Sequence, residues 1–288
     1  MNDTLRQDAI SRVGITIAID GPAGSGKSTV SKELASRLGI GYLDTGAMYR
    51  ALTWYVLDRG IDLEDTDAVA AAANEMPLRL QSDPADPHVW VGETEVTAAI
   101  REPRIALAIK HISTNLKVRA WMASEQRRRM MEARQQGSGM IAEGRDITTV
   151  VCPDADVRIL LLADQEARLR RRTLELYGDA TEEHMEIVRA QVEGRDKADS
   201  AVSEFMTAAP GVETVDSTGL DIAGVCEAIL AYVDEDLAAR EALSHNVSEG
   251  SERIARTPRH CCLRTEGRLC QCRSAHPHHI SIDCGWAG

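Results

Sequence analysis

The stretch Gly21 to Ser28 reads GPAGSGKS, a full match to the phosphate-binding pattern G-x-x-x-x-G-K-[ST], and an apolar run from Val13 to Ile19 leads into it. A loop of this kind demands a buried strand before it and a helix after it, so it constrains the fold as well as the ligand. Gly21, Gly24 and Gly26 let the backbone turn tightly and bring its N–H groups up to phosphate oxygens, where a side chain would block approach. Pro22, Ala23 and Ser25 complete the loop. The next segment, Thr29 to Leu38, has a helical pattern, and the positive end of its dipole faces the same phosphates. Lys27 reaches the outer phosphates and Ser28 can hold Mg²⁺, which makes residues 21–29 the expected site of a nucleoside triphosphate.

Beyond the loop, short apolar runs alternate with helical patterns, the mark of a parallel sheet wrapped by helices. Gly41 to Asp44 reads as a second strand and Thr45 to Leu57 as a helix ended by Gly60. Asp65 or Thr66 caps an alanine-rich helix closed by Pro77. Leu78 to Leu80, His88 to Val91 and Glu95 to Thr97 alternate as small antiparallel strands would. Pro103 suits the first turn of a helix that continues, with a break near Asn115, to Gly137. Met140 to Ala142 and Val157 to Ala163 are strand candidates, and Arg168 to Leu176 and Glu182 to Gln191 are helix candidates. Val212 to Val215 and Ile222 to Val233 supply a last strand and helix.

The net charge of -12 over 288 residues argues against broad binding to nucleic acid or to an anionic membrane. No apolar stretch approaches the roughly 20 residues that span a bilayer, and the N-terminus lacks the layout of a secretory signal, so a cytoplasmic protein is expected. Cys261, Cys262, Cys270, Cys272 and Cys284 crowd the end of a chain that has seven cysteines in all. Cys270, Cys272, His276 and His278 or His279 offer zinc donors, but their spacing matches no paired C-x-x-C arrangement. From His245 onward the tail is expected to lack structure, and no function is assigned to it.

Two clusters sit at expected strand carboxyl ends, LDTGAMYR at Leu43 to Arg50 and EGRDITTVVCPDA at Glu143 to Ala155. Ligands bind at that edge of an open parallel sheet, so Arg50 and Arg145 are expected to converge on a second phosphate facing the loop. Two phosphates facing each other imply transfer between them. Trp54, Trp90 and Trp121 are expected to pack rather than to stack on bases, and Arg127, Arg128 and Arg129 to form a solvated helix face. His88, His111 and His184 are expected to stand isolated, without an acidic partner.

In this order, GPAGSGKST, LDTGAMYR, the small insert and EGRD followed by TVVCPDA make the chain resemble the bacterial cytidylate kinases from about Val13 to Val233. The resemblance implies an α/β P-loop kinase fold: a parallel sheet flanked by helices, a small antiparallel NMP-binding insert and a helical lid. It divides the chain into a first core part at 1–76, the insert at 77–102, the continued core at 103–243 with a lid about 172–199, and the tail at 244–288. It also implies transfer of the γ-phosphoryl group of ATP, with Mg²⁺, to CMP or dCMP, by a monomer without nucleic-acid or membrane partners.

Carried over position by position, the resemblance makes Lys27, Arg145 and Arg195 the catalytic cations. Arg50 and Arg145 grip the acceptor phosphate, Arg119 and Asp146 read the cytosine edge, and Asp44 and Thr45 border the acceptor. Arg195 and Asp199 reach its phosphate and sugar. Arg168, Arg171 and Arg172 match basic donor-side positions, of which Arg171 is assigned to ATP, and Gly178 and Gly194 are pivots of the lid. The chain departs from the family's pattern at Lys110, where a serine is usual, after Asp199, where a further arginine is usual, and at Cys152, where phenylalanine is usual. A small P-loop kinase acting on shikimate or gluconate, and a non-catalytic nucleotide-binding protein, remain as alternatives that a substrate panel separates.

Overall fold

The computed structural model describes residues 1–189 and 206–256, the last stretch, 244–256, through its backbone alone. The chain divides into two compact units, Met1–Ser244 and His245–Gly288. The first is built on five parallel strands: β1 (Ile15–Asp20), β2 (Gly41–Asp44), β6 (Gly139–Gly144), β7 (Val157–Leu162) and β8 (Glu213–Asp216). Their order across the sheet is β2-β6-β1-β7-β8.

Side chains alternate between the two faces of a strand, and both faces here are apolar. On one face Ala18, Leu43, Met140 and Ala142 join a core made with α3 (Thr45–Asp58), α4 (Thr66–Glu75), α5 (Pro103–Ser113) and α6 (Leu116–Gln135). On the other face Ile15, Ile17, Ile19, Ile141, Val157, Ile159 and Val215 pack against α1 (Asp3–Val13), α2 (Lys27–Leu38) and the last helix, α8 (Ile222–Arg256). Between them in sequence lies α7 (Gln165–Tyr177), and residues 182–189 are again helical. Polar residues start the helices as expected: Asp44, Asp65, Asn115 and Asp164 each accept an N–H from the first turn of the helix that follows. The break near Asn115 is therefore an N-cap.

The insert is a three-stranded antiparallel sheet, β3 (Leu78–Leu80), β4 (Val89–Val91) and β5 (Thr94–Glu95). Its third strand is shorter and earlier than expected, because Gly92 (φ 59°) turns the chain at once. Trp54 and Trp121 pack on the core, and the Trp90 ring meets both the Arg79 guanidinium and the His88 ring.

Several expectations need correction. The apolar run entering the phosphate loop is split: Val13 closes α1, which the sequence reading missed, and Gly14 (φ 62°) ends that helix before β1 begins at Ile15. The final helix does not stop at Val233 but continues to Arg256. None of the three histidines is isolated. His88 meets Asp86 and Glu95, His111 meets Glu64, and His184 meets Asp179. Nor are the α6 arginines simply solvated: Arg127 chelates Asp154, while Arg128 and Arg129 share Glu125. Residues 257–288, with the cysteine and histidine cluster, lie outside the described residues. Among the described residues no helix is long and apolar enough to cross a membrane.

Candidate functional site

Because β6 lies between β1 and β2, three strand ends meet side by side at one edge of the sheet. In register, Asp20 pairs with Gly144 and Asp44 with Glu143. The phosphate loop, the Asp44–Thr45 turn and the Arg145–Asp146 turn are therefore neighbours, although Arg145 lies 124 residues beyond Gly21 in sequence.

In the loop, Gly21, Gly24 and Gly26 all have positive φ, at 152°, 76° and 94°. A Cβ at Gly21 would strike the Leu161 carbonyl, and one at Gly24 the Arg168 carbonyl at 2.7 Å. At Gly26 a Cβ would meet nothing within 4 Å, which leaves an open concavity at the start of α2. Ser28 and Thr29 are exposed there, and the Ser25 hydroxyl is buried without a hydrogen-bond partner.

Among the described residues, four cations donate to carbonyl oxygens of this loop. Lys27 Nζ donates to Pro22 O at 2.9 Å, Arg168 to Ala23 O at 3.1 Å, Arg171 to Ser25 O at 3.5 Å, and Arg145 to Gly21 O. Carbonyls turned toward cations leave the loop's N–H groups for an anion in the concavity. Arg171 is further fixed by Ser217, donating to its hydroxyl at 2.9 Å and its carbonyl at 2.6 Å. Arg172 instead pairs with Glu175 on the surface of α7. Of the three donor-side arginines, Arg168 and Arg171 thus support the loop while Arg172 stands apart from it.

On the neighbouring strands, Arg50 Nη2 pairs with Asp44 at 2.7 Å, and Asp44 also caps α3 through the Ala47 N–H at 2.8 Å. Packing works to raise the Asp44 pKa, but the Arg50 charge, the Ala47 N–H and Arg101 together hold it below the ordinary carboxylate range. Arg101 was not among the expected site residues. It ends a short 3-10 turn, Ala99–Arg101, whose place beside Asp44 emerges only once the insert folds back on the core. Thr45 donates to the Glu143 carbonyl at 2.6 Å, locking β2 to β6 at their ends. Glu143 is buried and accepts the Tyr42 hydroxyl at 2.7 Å.

Arg119, from the first turn of α6, forms a short ion pair with Asp146, and both are largely covered. The structure thus brings Asp44, Thr45, Arg50, Arg119, Arg145 and Asp146 to the edge that holds the phosphate loop. Lys110 is exposed on α5. Gly178 (φ 78°) caps α7, whereas Gly194, Arg195 and Asp199 lie outside the described residues. After Asp146, Ile147–Val151 forms a single π turn, a widened coil often found at functional sites.

Comparison with known proteins bears on this arrangement. Residues 17–235 match the family model described as cytidylate kinase. A protein named cytidylate kinase from Streptomyces avermitilis is 40% identical over 228 residues, covering 78% of this chain and 95% of that protein. One of the same name from Rhodococcus opacus is 41% identical over 228 residues, covering 78% of this chain and 97% of its own length. A bifunctional pantoate ligase/cytidylate kinase from Synechococcus elongatus is 41% identical over 229 residues, which make up 77% of this chain and 42% of that protein.

Proposed function

The chain belongs to the cytidylate kinase family, and from that membership we propose how its site moves the γ-phosphoryl group of ATP to CMP or dCMP, giving ADP and CDP or dCDP. The observation that carries the reading is the meeting of the phosphate loop with the Asp44–Thr45 and Arg145–Asp146 turns at one sheet edge.

Donor phosphates lie in the concavity of residues 21–29, received by loop N–H groups and the start of α2. Lys27 leaves the Pro22 carbonyl to neutralise charge on the transferring group. Mg²⁺ bound with ATP would spread the charge of the outer phosphates, and the exposed Ser28 hydroxyl is a hard oxygen donor of the kind that ion takes. The open space at Gly26 fits such a group.

The acceptor phosphate lies between Arg50 and Arg145, with Asp44 and Thr45 at its border. Arg119 and Asp146 fix each other's orientation, presenting a paired donor and acceptor to the base edge. Arg195 and Asp199 complete the acceptor side, and a lid about 172–199 excludes water. A nucleotide monophosphate is already largely dianionic near neutral pH, its second pKa being about 6, so no dedicated base is required. The chain's task is to align the two reacting groups and neutralise charge. As part of the same reading the enzyme acts as a cytoplasmic monomer on free nucleotides, and its net charge of -12 supports the exclusion of polyanionic partners. The core at 1–76 and 103–243 and the insert at 77–102 are its working parts, and the tail at 244–288 is assigned no function.

A coupled assay of ADP release across CMP, dCMP, UMP, AMP and shikimate tests this. Release that depends on CMP or dCMP and on Mg²⁺, with UMP weaker and AMP weakest, is the expected result. Turnover with shikimate but not CMP would overturn it.

A further inference from the structure

Asp20 is the last residue of β1, directly before the phosphate loop, and only 2% of its surface is exposed. Its two carboxylate oxygens take three donors from the turn after β6. Oδ1 accepts the Ile147 N–H at 2.9 Å, and Oδ2 accepts the Thr148 N–H at 2.7 Å and the Thr148 hydroxyl at 2.7 Å. The next residue, Gly21, receives the Arg145 guanidinium on its carbonyl. Residues 145–148 are thus tied to residues 20 and 21 at both ends, by a side chain at one end and by main chain at the other.

The tie begins where the sheet stops. The β1–β6 ladder ends with Asp20 opposite Gly144, so Asp20 takes over the hold on the turn one residue later. A carboxylate suits the task because it is acceptor-only and offers two oxygens. An amide would turn an NH₂ group toward one of the two N–H groups.

Among the described residues no arginine or lysine forms an ion pair with Asp20, and burial, despite the Thr148 and Ile147 donors, pushes its pKa up to about 6. A buried carboxylate without a counter-ion opposes stability. Its place in the core is therefore better explained by what it holds than by what it contributes to the fold.

We propose that Asp20 is a positioning residue for phosphoryl transfer: it clasps the turn bearing Arg145 and Asp146 to the root of the phosphate loop, so that the acceptor charges stay in register with the donor. The inference rests on the assignment of Arg145 and Asp146 to the acceptor.

The test uses the full chain with Asp20→Asn, Thr148→Val, Thr148→Ser and Arg145→Ala, checked for folding by circular dichroism. Hydrogen bonds to a charged group predict a rise in the CMP KM of about 10-fold for Asp20→Asn and about 3-fold for Thr148→Val. The Kd of ATP, measured by equilibrium dialysis, stays within about twofold, and Thr148→Ser behaves as wild type. Equal weakening of ATP and CMP, or no change in the CMP KM, would overturn the proposal. If Asp20→Asn does not fold, the contrast between Thr148→Val and Thr148→Ser decides by the same criteria. A normal CMP KM in Arg145→Ala would instead break the acceptor assignment itself, whereas a raised one beside an unaffected Asp20→Asn breaks the clasp alone.

Discussion

The two edges of the central sheet differ in what their cations gather around. At the amino edge Asp156 is saturated: it accepts the Thr16 N–H and hydroxyl at 2.8 Å each, and pairs with Arg134 at 2.9 Å and Arg240 at 3.1 Å. Arg240 also donates to the Val13 and Gly14 carbonyls at 2.7 Å. Cations there end on a carboxylate and close a network that joins β1, α6 and α8. At the carboxyl edge Lys27, Arg145, Arg168 and Arg171 each donate to a carbonyl of one loop, beside the pairs Arg50–Asp44 and Arg119–Asp146. An ion pair answers charge inside the fold, while a donor aimed at a loop carbonyl helps to set the course of that loop. The contrast separates a network that ties distant elements together from side chains gathered around one loop.

That contrast can be broken most sharply at Asp156. Asp156→Ala leaves two arginines without their buried partner and is expected to cost about 3 to 5 kcal/mol in chemical denaturation. The KM values for ATP and CMP of the folded fraction should stay within about twofold, since no reacting group is touched. A kinetic defect exceeding the stability defect would erase the distinction between the edges. Lys27→Ala makes the opposite trade: turnover falls on the order of 10²-fold or more while the denaturation midpoint barely moves. Near-normal turnover in the coupled assay would remove Lys27 from the chemistry.

Arg171→Ala sharpens the picture within the carboxyl edge, because this arginine braces the loop through Ser25 and Ser217. The ATP KM should rise about tenfold and the CMP KM stay unchanged, as measured by varying each substrate in turn. The smallest effect concerns pH. The pKa of Asp20 is raised to about 6 from 3.8, so between those values the folded state binds a proton that the unfolded state does not. Its ionised form therefore opposes stability above pH 6, and that opposition is relieved as the pH falls. Denaturation at pH 7 and pH 5 should show wild type gaining about 1 kcal/mol relative to Asp20→Asn. A constant difference would contradict it.

The two edges also differed in how far the sequence revealed them. GPAGSGKS is local, its chemistry lies in consecutive residues, and its loop and helix fall where the spacing puts them. LDTGAMYR and EGRD were recognisable as strand-end clusters, but that they flank the phosphate loop follows from β6 lying between β1 and β2, which pattern alone does not specify. The Asp20–Thr148, Arg168–Ala23 and Arg171–Ser25 contacts were invisible because each links segments more than a hundred residues apart.

Helix α1 was missed because only Arg6, Ala9 and Ile10 are buried in it, too few for a clear apolar stripe. Its hold comes from pairs such as Arg6 with Asp234 and Arg37 with Asp3, made with distant helices. The histidine partners went unseen for a different reason. Asp86 and Glu95 flank His88 in sequence, but only the β4–β5 turn brings Glu95 back to it.

The most direct test of the account is inhibition by a bisubstrate analogue in which a polyphosphate chain links adenosine to cytidine. If donor and acceptor sites face each other across this sheet edge, the compound competes with both ATP and CMP, and Arg145→Ala and Lys27→Ala each weaken it. Competition with ATP alone, at full occupancy of the phosphate loop, would contradict a shared cleft.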